Sequence, residues 1–219
     1  MGVDKGHMLR QLVSNWGLLI LVSFTIFILP VVTTFIQFRL FELFVTLIVL
    51  TSTYATSEDK KKKVMVQVII AIIAIWSTRV AQLDFINYVS TAWLAIFFLL
   101  RVFRFITQLA RKTDVNPLVI IEAINGYLLM GVGFSIIVNM FTAEFENAFS
   151  FTIGSSASHI YDAFYYTFVS MTTLGYGDLL PLTPAAKSLA LFITLCGQFY
   201  LVIIMALLVG RLLARSLKD

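Results

Sequence analysis

The sequence predicts an all-α integral membrane protein, and three observations carry that prediction. Hydrophobic residues make up 59% of the 219 residues and charged ones only 13%, about half the charged share of a soluble domain. The apolar residues fall in long runs, and a spanning helix needs about 20 of them. The charges gather in the short stretches between those runs. A helix keeps its backbone hydrogen bonds within itself, which is the condition for crossing hydrocarbon.

Six segments qualify as spans: 17–36, 40–56, 64–83, 88–110, 118–142 and 184–210. Pro30 falls inside the first and is expected to kink it. A further apolar segment, 160–172, is too short to cross. It predicts a helix that enters from one side and stops halfway, which is tolerated only where protein surrounds it. Basic residues set the orientation. Lys5 and Arg10, Lys60 to Lys63, Arg111 and Lys112, and Arg211, Arg215 and Lys218 all fall on one side of six spans. Both termini are therefore expected in the cytoplasm. The stretch 143–162 carries Glu144, Glu146 and Asp162 but no Lys or Arg. It belongs outside, where its charge would concentrate cations or simply be solvated. The lysine run reads as a topological anchor, with anionic-lipid binding as the alternative.

Several classes of function are disfavoured. The single cysteine, Cys196, allows no intramolecular disulfide and suggests no metal cluster. His7 and His159 are remote from each other and no nucleophile motif stands out, so no enzyme, bound cofactor or nucleic-acid partner is expected. His159 precedes the short apolar segment, where a capping or solvated role is favoured over pH sensing. The first apolar run is longer than a signal-peptide core, and Gly6 breaks a myristoylation pattern. Nine residues follow Gly210, so no ligand-sensing domain is expected after it.

The chemistry concentrates in Thr172-Thr173-Leu174-Gly175-Tyr176-Gly177-Asp178. Two threonines precede two glycines that flank a tyrosine, and an aspartate follows. An aromatic segment leads into the run and a long apolar segment leaves it. The pattern resembles the selectivity filter of potassium channels, whose usual core reads Thr-Val-Gly-Tyr-Gly. Rings of backbone carbonyls from four chains there replace the water of a permeant ion. Successive carbonyls must face one way, whereas successive residues of a strand alternate. The backbone must therefore switch hand residue by residue, and glycine takes positive φ at little cost. The resemblance implies K+ coordination by the carbonyls of Thr173, Leu174, Gly175 and Tyr176, with the Thr173 hydroxyl as the innermost ring. Gly177 completes the filter, and Thr172 and Asp178 support it. Leu174 stands where valine is usual, which keeps a less selective monovalent cation channel as the alternative.

Residues 113–212 as a whole resemble the pore domain of that family: outer helix, re-entrant pore helix, filter and inner helix. Tyr165 and Tyr166 replace two tryptophans found there in voltage-gated members. The resemblance makes Tyr166 the candidate donor to Asp178. The alternative is an aromatic cuff, which applies at least as well to Tyr165. Gly197, nineteen residues after Asp178, matches a gating hinge of the inner helix, and close helix packing explains a glycine there equally well. Ile204 and Leu208 are candidates for an apolar constriction. Glu122 is read as a solvated helix-end acid, with contact to the linker as the alternative. Residues 1–16 are expected as a cytoplasmic N-terminus and 213–219 as a short tail.

Residues 17–112 hold the place of the four-helix voltage sensor in six-helix channels. Arg101, Arg104 and Arg111 share one face of the fourth helix with Gln108. Voltage-gated members have a longer ladder, and no acid occurs from Leu43 to Ser57 or in 64–83. The expected protein is a homotetramer that passes K+ through a plasma membrane, bacterial in type, with weak or absent voltage sensing. A four-repeat transporter is disfavoured by the single intact filter. A non-conducting regulatory membrane protein is the remaining alternative.

Overall fold

A computed structural model describes residues 5–31, 34–56, 65–73, 84–112, 116–145, 147–150 and 156–216. The described elements are helical: α1 (Lys5–Phe27), a 3-10 turn (Leu29–Val31), α2 (Thr34–Ala55), α3 (65–73), α4 (Asp84–Arg111), α5 (Pro117–Glu144), α6 (Ser156–Met171) and α7 (Pro184–Ser216). An isolated antiparallel bridge joins Phe149 to Pro181.

Among the described residues four helices are long and apolar enough to span: Gln11–Val31, Asn87–Arg111, Pro117–Glu144 and Pro184–Arg211. The second expected span is present as a shorter apolar helix, Leu40–Ala55. The third is described only over 65–73, and its remainder, 74–83, lies outside the described residues. So do Glu58, Asp59, the lysine run 60–63, Arg79, Glu146 and Lys218, and the side chains of Lys5, His7, Arg10, His159 and Arg215.

The first helix departs from expectation at both ends. It starts at Lys5 rather than near 17, so it takes in most of the segment expected as an N-terminal tail. Pro30 does not kink it. The α-helix stops at Phe27 and the chain tightens into the 3-10 turn, with Ile28 N–H donating to Phe24 O at 3.0 Å and Val31 N–H to Ile28 O at 3.0 Å. Proline has no N–H to give and disfavours helical geometry in the residue before it, so the helix ends just ahead of it.

The core is organised around α5. It packs against α1, α4, α6 and α7, and its buried residues run from Leu118 to Val138, with Ile120 and Ile124 left exposed on one face. A helix apolar on every side is an interior helix. Its start is fixed locally: Asn116 Oδ1 accepts from Val119 N–H at 3.0 Å, with Pro117 in the first turn. The short connection 112–116 makes α4 and α5 neighbours. Gly133 lets them close, since a Cβ there would stand 3.3 Å from that of Phe98.

Buried polar side chains link the helices. Asn125 Nδ2 donates to the Asn15 carbonyl at 2.9 Å, and Asn15 Nδ2 donates to Gln11 O at 2.9 Å and Ala55 O at 3.3 Å. One pair thereby joins α5, α1 and α2. On the other side Tyr200 of α7 donates its hydroxyl to Ala123 O at 2.7 Å. The missing side chain of Gly126 leaves room for that phenol. Each such bond contributes about 0.6–2 kcal/mol in a membrane setting.

Glu122 is not a solvated helix-end acid. It is fully buried, accepts from Lys112 Nζ at 2.6 and 2.7 Å, and accepts from Gln108 Nε2 at 2.8 Å. Five residues into α5, it faces the end of α4 and clamps the connection between them. Breaking a buried pair from one side isolates a charge and costs about 3–5 kcal/mol. Lys112 keeps 26% of its side chain exposed, which puts Lys112→Ala at the lower end, about 3 kcal/mol. Thermal melts of the purified protein are expected to show a large loss for Lys112→Ala and a smaller one for Lys112→Ala combined with Glu122→Gln.

Candidate functional site

The 172–178 loop is built by the end of α6. The last four carbonyls of a helix lack partners within it. The Phe168 carbonyl accepts from Thr172 N–H at 3.0 Å, Ser170 from Thr173 N–H at 3.0 Å, and Val169 from Leu174 N–H at 3.0 Å and Gly175 N–H at 3.4 Å. The amides of the loop are thus turned back onto the helix. Among the described residues none donates to the carbonyls of Thr173, Leu174, Gly175 or Tyr176. The side chains of Thr172 to Asp178 are exposed along their whole run.

The backbone changes hand at every second residue. Thr173 has φ 58°, Gly175 φ 55° and Gly177 φ 78°, whereas Leu174 and Tyr176 are not in the positive-φ region. That alternation is the condition for carbonyls that face the same way. Glycine meets it freely. Thr173 does not, because a β-branched residue at positive φ is a true outlier, and such strain persists only where the surroundings impose it. The Thr173 hydroxyl donates to Thr172 O at 2.6 Å. Its lone pairs then remain available, since a hydroxyl has one hydrogen to give and two pairs to accept with.

The far end of the loop is held by Tyr165, not Tyr166. The Tyr165 hydroxyl donates to Asp178 Oδ2 at 2.7 Å, and Asp178 Oδ1 accepts from Leu179 N–H at 3.0 Å. Tyr166 is buried, packs its ring against Phe149 at 4.9 Å, and shares a hydrogen bond with Ser170. Residues one apart on a helix point about 100° apart, so only one of the two tyrosines can face the loop. The segment after the loop is clamped as well. Ser150 N–H donates to Leu180 O at 2.9 Å, Leu180 N–H to Ser150 Oγ at 2.7 Å and Leu182 N–H to Ala148 O at 2.8 Å. The clamping residues Ala148 to Ser150 carry no motif, so nothing in the sequence marked them.

Gly197 lies in α7, which runs as unbroken helix through it. A Cβ there would meet the Met171 carbonyl oxygen at 2.8 Å, so close packing against the end of α6 requires the glycine. Ile204 is buried in the core rather than turned toward open space, while Leu208 is half-buried; Phe199, Leu201, Val202, Ile203, Met205 and Val209 are among the exposed residues of that stretch. The arginines of α4 are brought to other helices and not to the loop. Arg101 is buried, donates to Thr56 Oγ1 at 3.1 Å and lies 4.9 Å from the Phe97 ring centroid. Arg104 donates to Gln67 of α3 at 3.4 Å, and Arg111 is exposed at the end of α4.

Comparison with known proteins finds similarity over this same region. Residues 144–214, from the end of α5 to the end of α7, match the family model described as "Ion channel". The chain is 40% identical over 63 residues to two-pore potassium channel 1 of Arabidopsis thaliana, covering 29% of this chain and 15% of that protein. It is 42% identical over 40 residues to a hyperpolarization-activated voltage-gated potassium channel of Methanocaldococcus jannaschii, covering 18% of this chain and 19% of the relative. Two pore potassium channel c of Oryza sativa subsp. japonica is 32% identical over 102 residues, 45% of this chain and 20% of its own length. The matches therefore span at most a fifth of each of these relatives.

The hydrogen bond from Tyr165 holds the Asp178 carboxyl below its usual range, and the same bond pushes the Tyr165 phenol up to about 12. A depressed carboxyl keeps its partner at neutral pH and releases it only as pH falls below the ordinary value of 3.8. Following the carboxyl carbon of Asp178 by NMR during an acid titration, Tyr165→Phe is expected to raise its midpoint toward the ordinary value. Tyr166→Phe is expected to leave it unchanged.

Proposed function

We propose that the chain is one quarter of a passive, potassium-selective channel, assembled as a homotetramer in a plasma membrane of bacterial type. The observation that carries this is the alternating backbone at Thr173, Gly175 and Gly177, in a loop whose amides from Thr172 to Gly175 are bound to α6 and whose carbonyls from Thr173 to Tyr176 are left without donors among the described residues. Bare charge is costly in hydrocarbon, and four such loops around one axis would offer a dehydrated cation a ladder of oxygens. The Thr173 hydroxyl would form the innermost ring, and Tyr165 with Asp178 would brace the outer end. The C-terminal end of α6 carries partial negative charge, which would favour a cation in the cavity behind the loop. The potassium channels named among the relatives support the choice of ion.

In the full arrangement six spans place both termini in the cytoplasm, α1 to α4 form a sensor-like half and α5 to α7 the pore. Gly197 acts as a hinge only if α7 first leaves the end of α6. Voltage sensing is weak or absent. Moving one charge through 100 mV supplies about 2.3 kcal/mol, and α4 offers Arg101 and Arg104 with Arg111 at its exposed end. The tight α4–α5 contact at Gly133 and the Lys112–Glu122 clamp also oppose a slide of α4 along α5.

Purified protein in potassium-loaded liposomes is expected to release K+ far faster than Na+, and Gly175→Ala is expected to lower that flux, because a Cβ makes the positive φ costly by about 1–2 kcal/mol in each chain. Equal K+ and Na+ fluxes would instead identify a non-selective cation channel, and no flux a non-conducting protein. In planar bilayers between −120 and +120 mV the open probability is expected to vary shallowly. A steep sigmoid removed by neutralising Arg101 and Arg104 would contradict weak sensing.

A further inference from the structure

Three of the four terminal carbonyls of α6 are met by the loop itself, at Phe168, Val169 and Ser170. The fourth, Met171, is met from another helix. Gln198 of α7 donates its side-chain amide to Met171 O at 3.2 Å. The neighbouring Gly197 brings α7 close enough for this, because a Cβ there would lie 2.8 Å from the same oxygen and 3.1 Å from Met171 Cα. An amide inside an apolar helix is costly without a partner, and between helices such a group acts as glue. Here the partner is the carbonyl one peptide before Thr172 and two residues before the strained Thr173.

We propose that Gln198 is a positioning residue for the ion-coordinating loop, tying the inner helix to the last carbonyl of the pore helix and so fixing the ring formed by Thr173. This rests on the channel function proposed above. The helix end at Met171 is completed by α7 rather than by the loop. A displacement of α7 at Gly197 and Gln198 therefore reaches Thr172 through one peptide unit. Gln198 touches no permeant ion in this arrangement. It acts through Met171.

The test compares wild type with Gln198→Leu, which keeps the bulk and removes the donor. Two measurements are made: the K+ to Na+ permeability ratio from bi-ionic currents, and the Met171 carbonyl resonance by NMR. The chain contains a single Met-Thr step, Met171-Thr172, so carbonyl-13C methionine with 15N threonine isolates that peptide. The expected result is a permeability ratio reduced about fivefold to tenfold, the factor corresponding to one lost hydrogen bond, together with a shifted Met171 resonance. An unchanged ratio would overturn the proposal, whether or not the resonance moves. A changed ratio with an unmoved resonance would also overturn it, since the effect would not pass through Met171. Should leucine prevent assembly, Gln198→Ala removes the donor without adding bulk and is read in the same way. A wild-type protein that passes no K+ would refute the channel function itself. A selective wild type beside an unaltered variant would refute only the role of Gln198.

Discussion

Everything at the candidate site depends on which backbone groups α6 captures. Its terminal carbonyls need donors, and the loop that follows supplies amides from Thr172, Thr173, Leu174 and Gly175. Binding those amides orients the chain so that its own carbonyls are left over. A hydrogen-bond deficit at a helix end is thereby passed to the next four residues as a surplus of acceptors. In water such acceptors would be solvated. In a narrow pore they are available to a cation. Positive φ at Thr173, Gly175 and Gly177 is the conformational counterpart of the same exchange.

The remainder of the fold holds that end of α6 still. α5, buried over most of its length, packs against it and carries the polar links outward: Asn125 to α1, Ala123 to Tyr200 of α7, and Glu122 to the end of α4. α7 closes on Met171 from a second direction. Arg211 Nη2 near its end donates to Ala110 O of α4 at 3.0 Å. The same helix therefore touches both the base of the loop and the last turn of α4. The loop's outer end is pinned separately, by Tyr165 and by the Ala148–Ser150 segment. The loop is thus held at both ends and left unpartnered in its middle.

Much of this was legible in the sequence because it is periodic or stereochemical. Apolar runs of membrane length predicted helices close to α4, α5 and α7, a shorter run predicted α6, and the two glycines announced positive φ. Other features depend on which way a helix is turned, and composition does not encode that. Tyr165 and Tyr166 are chemically equal, and only the rotation of α6 decides that the first meets Asp178 and the second Phe149. Glu122 lies at a helix end in sequence but against α4 in space, so a position suggesting solvation conceals full burial. Ile204 was expected at a constriction and faces the core for the same reason. The left-handed backbone of Thr173 was not legible, because its conformation is imposed by bonds to α6 against its own preference. Pro30 was expected to kink a helix, and instead the helix ends ahead of it.

The central claim is that main-chain oxygens of this loop replace the hydration of a monovalent cation. Anomalous diffraction from crystals of the protein grown with rubidium or thallium in place of potassium tests it most directly. Carbonyl coordination predicts a row of anomalous peaks on a fourfold axis, bounded by the oxygens of Thr173, Leu174, Gly175 and Tyr176. A loop remote from any such axis, or a fourfold axis without bound cation between those carbonyls, would contradict it.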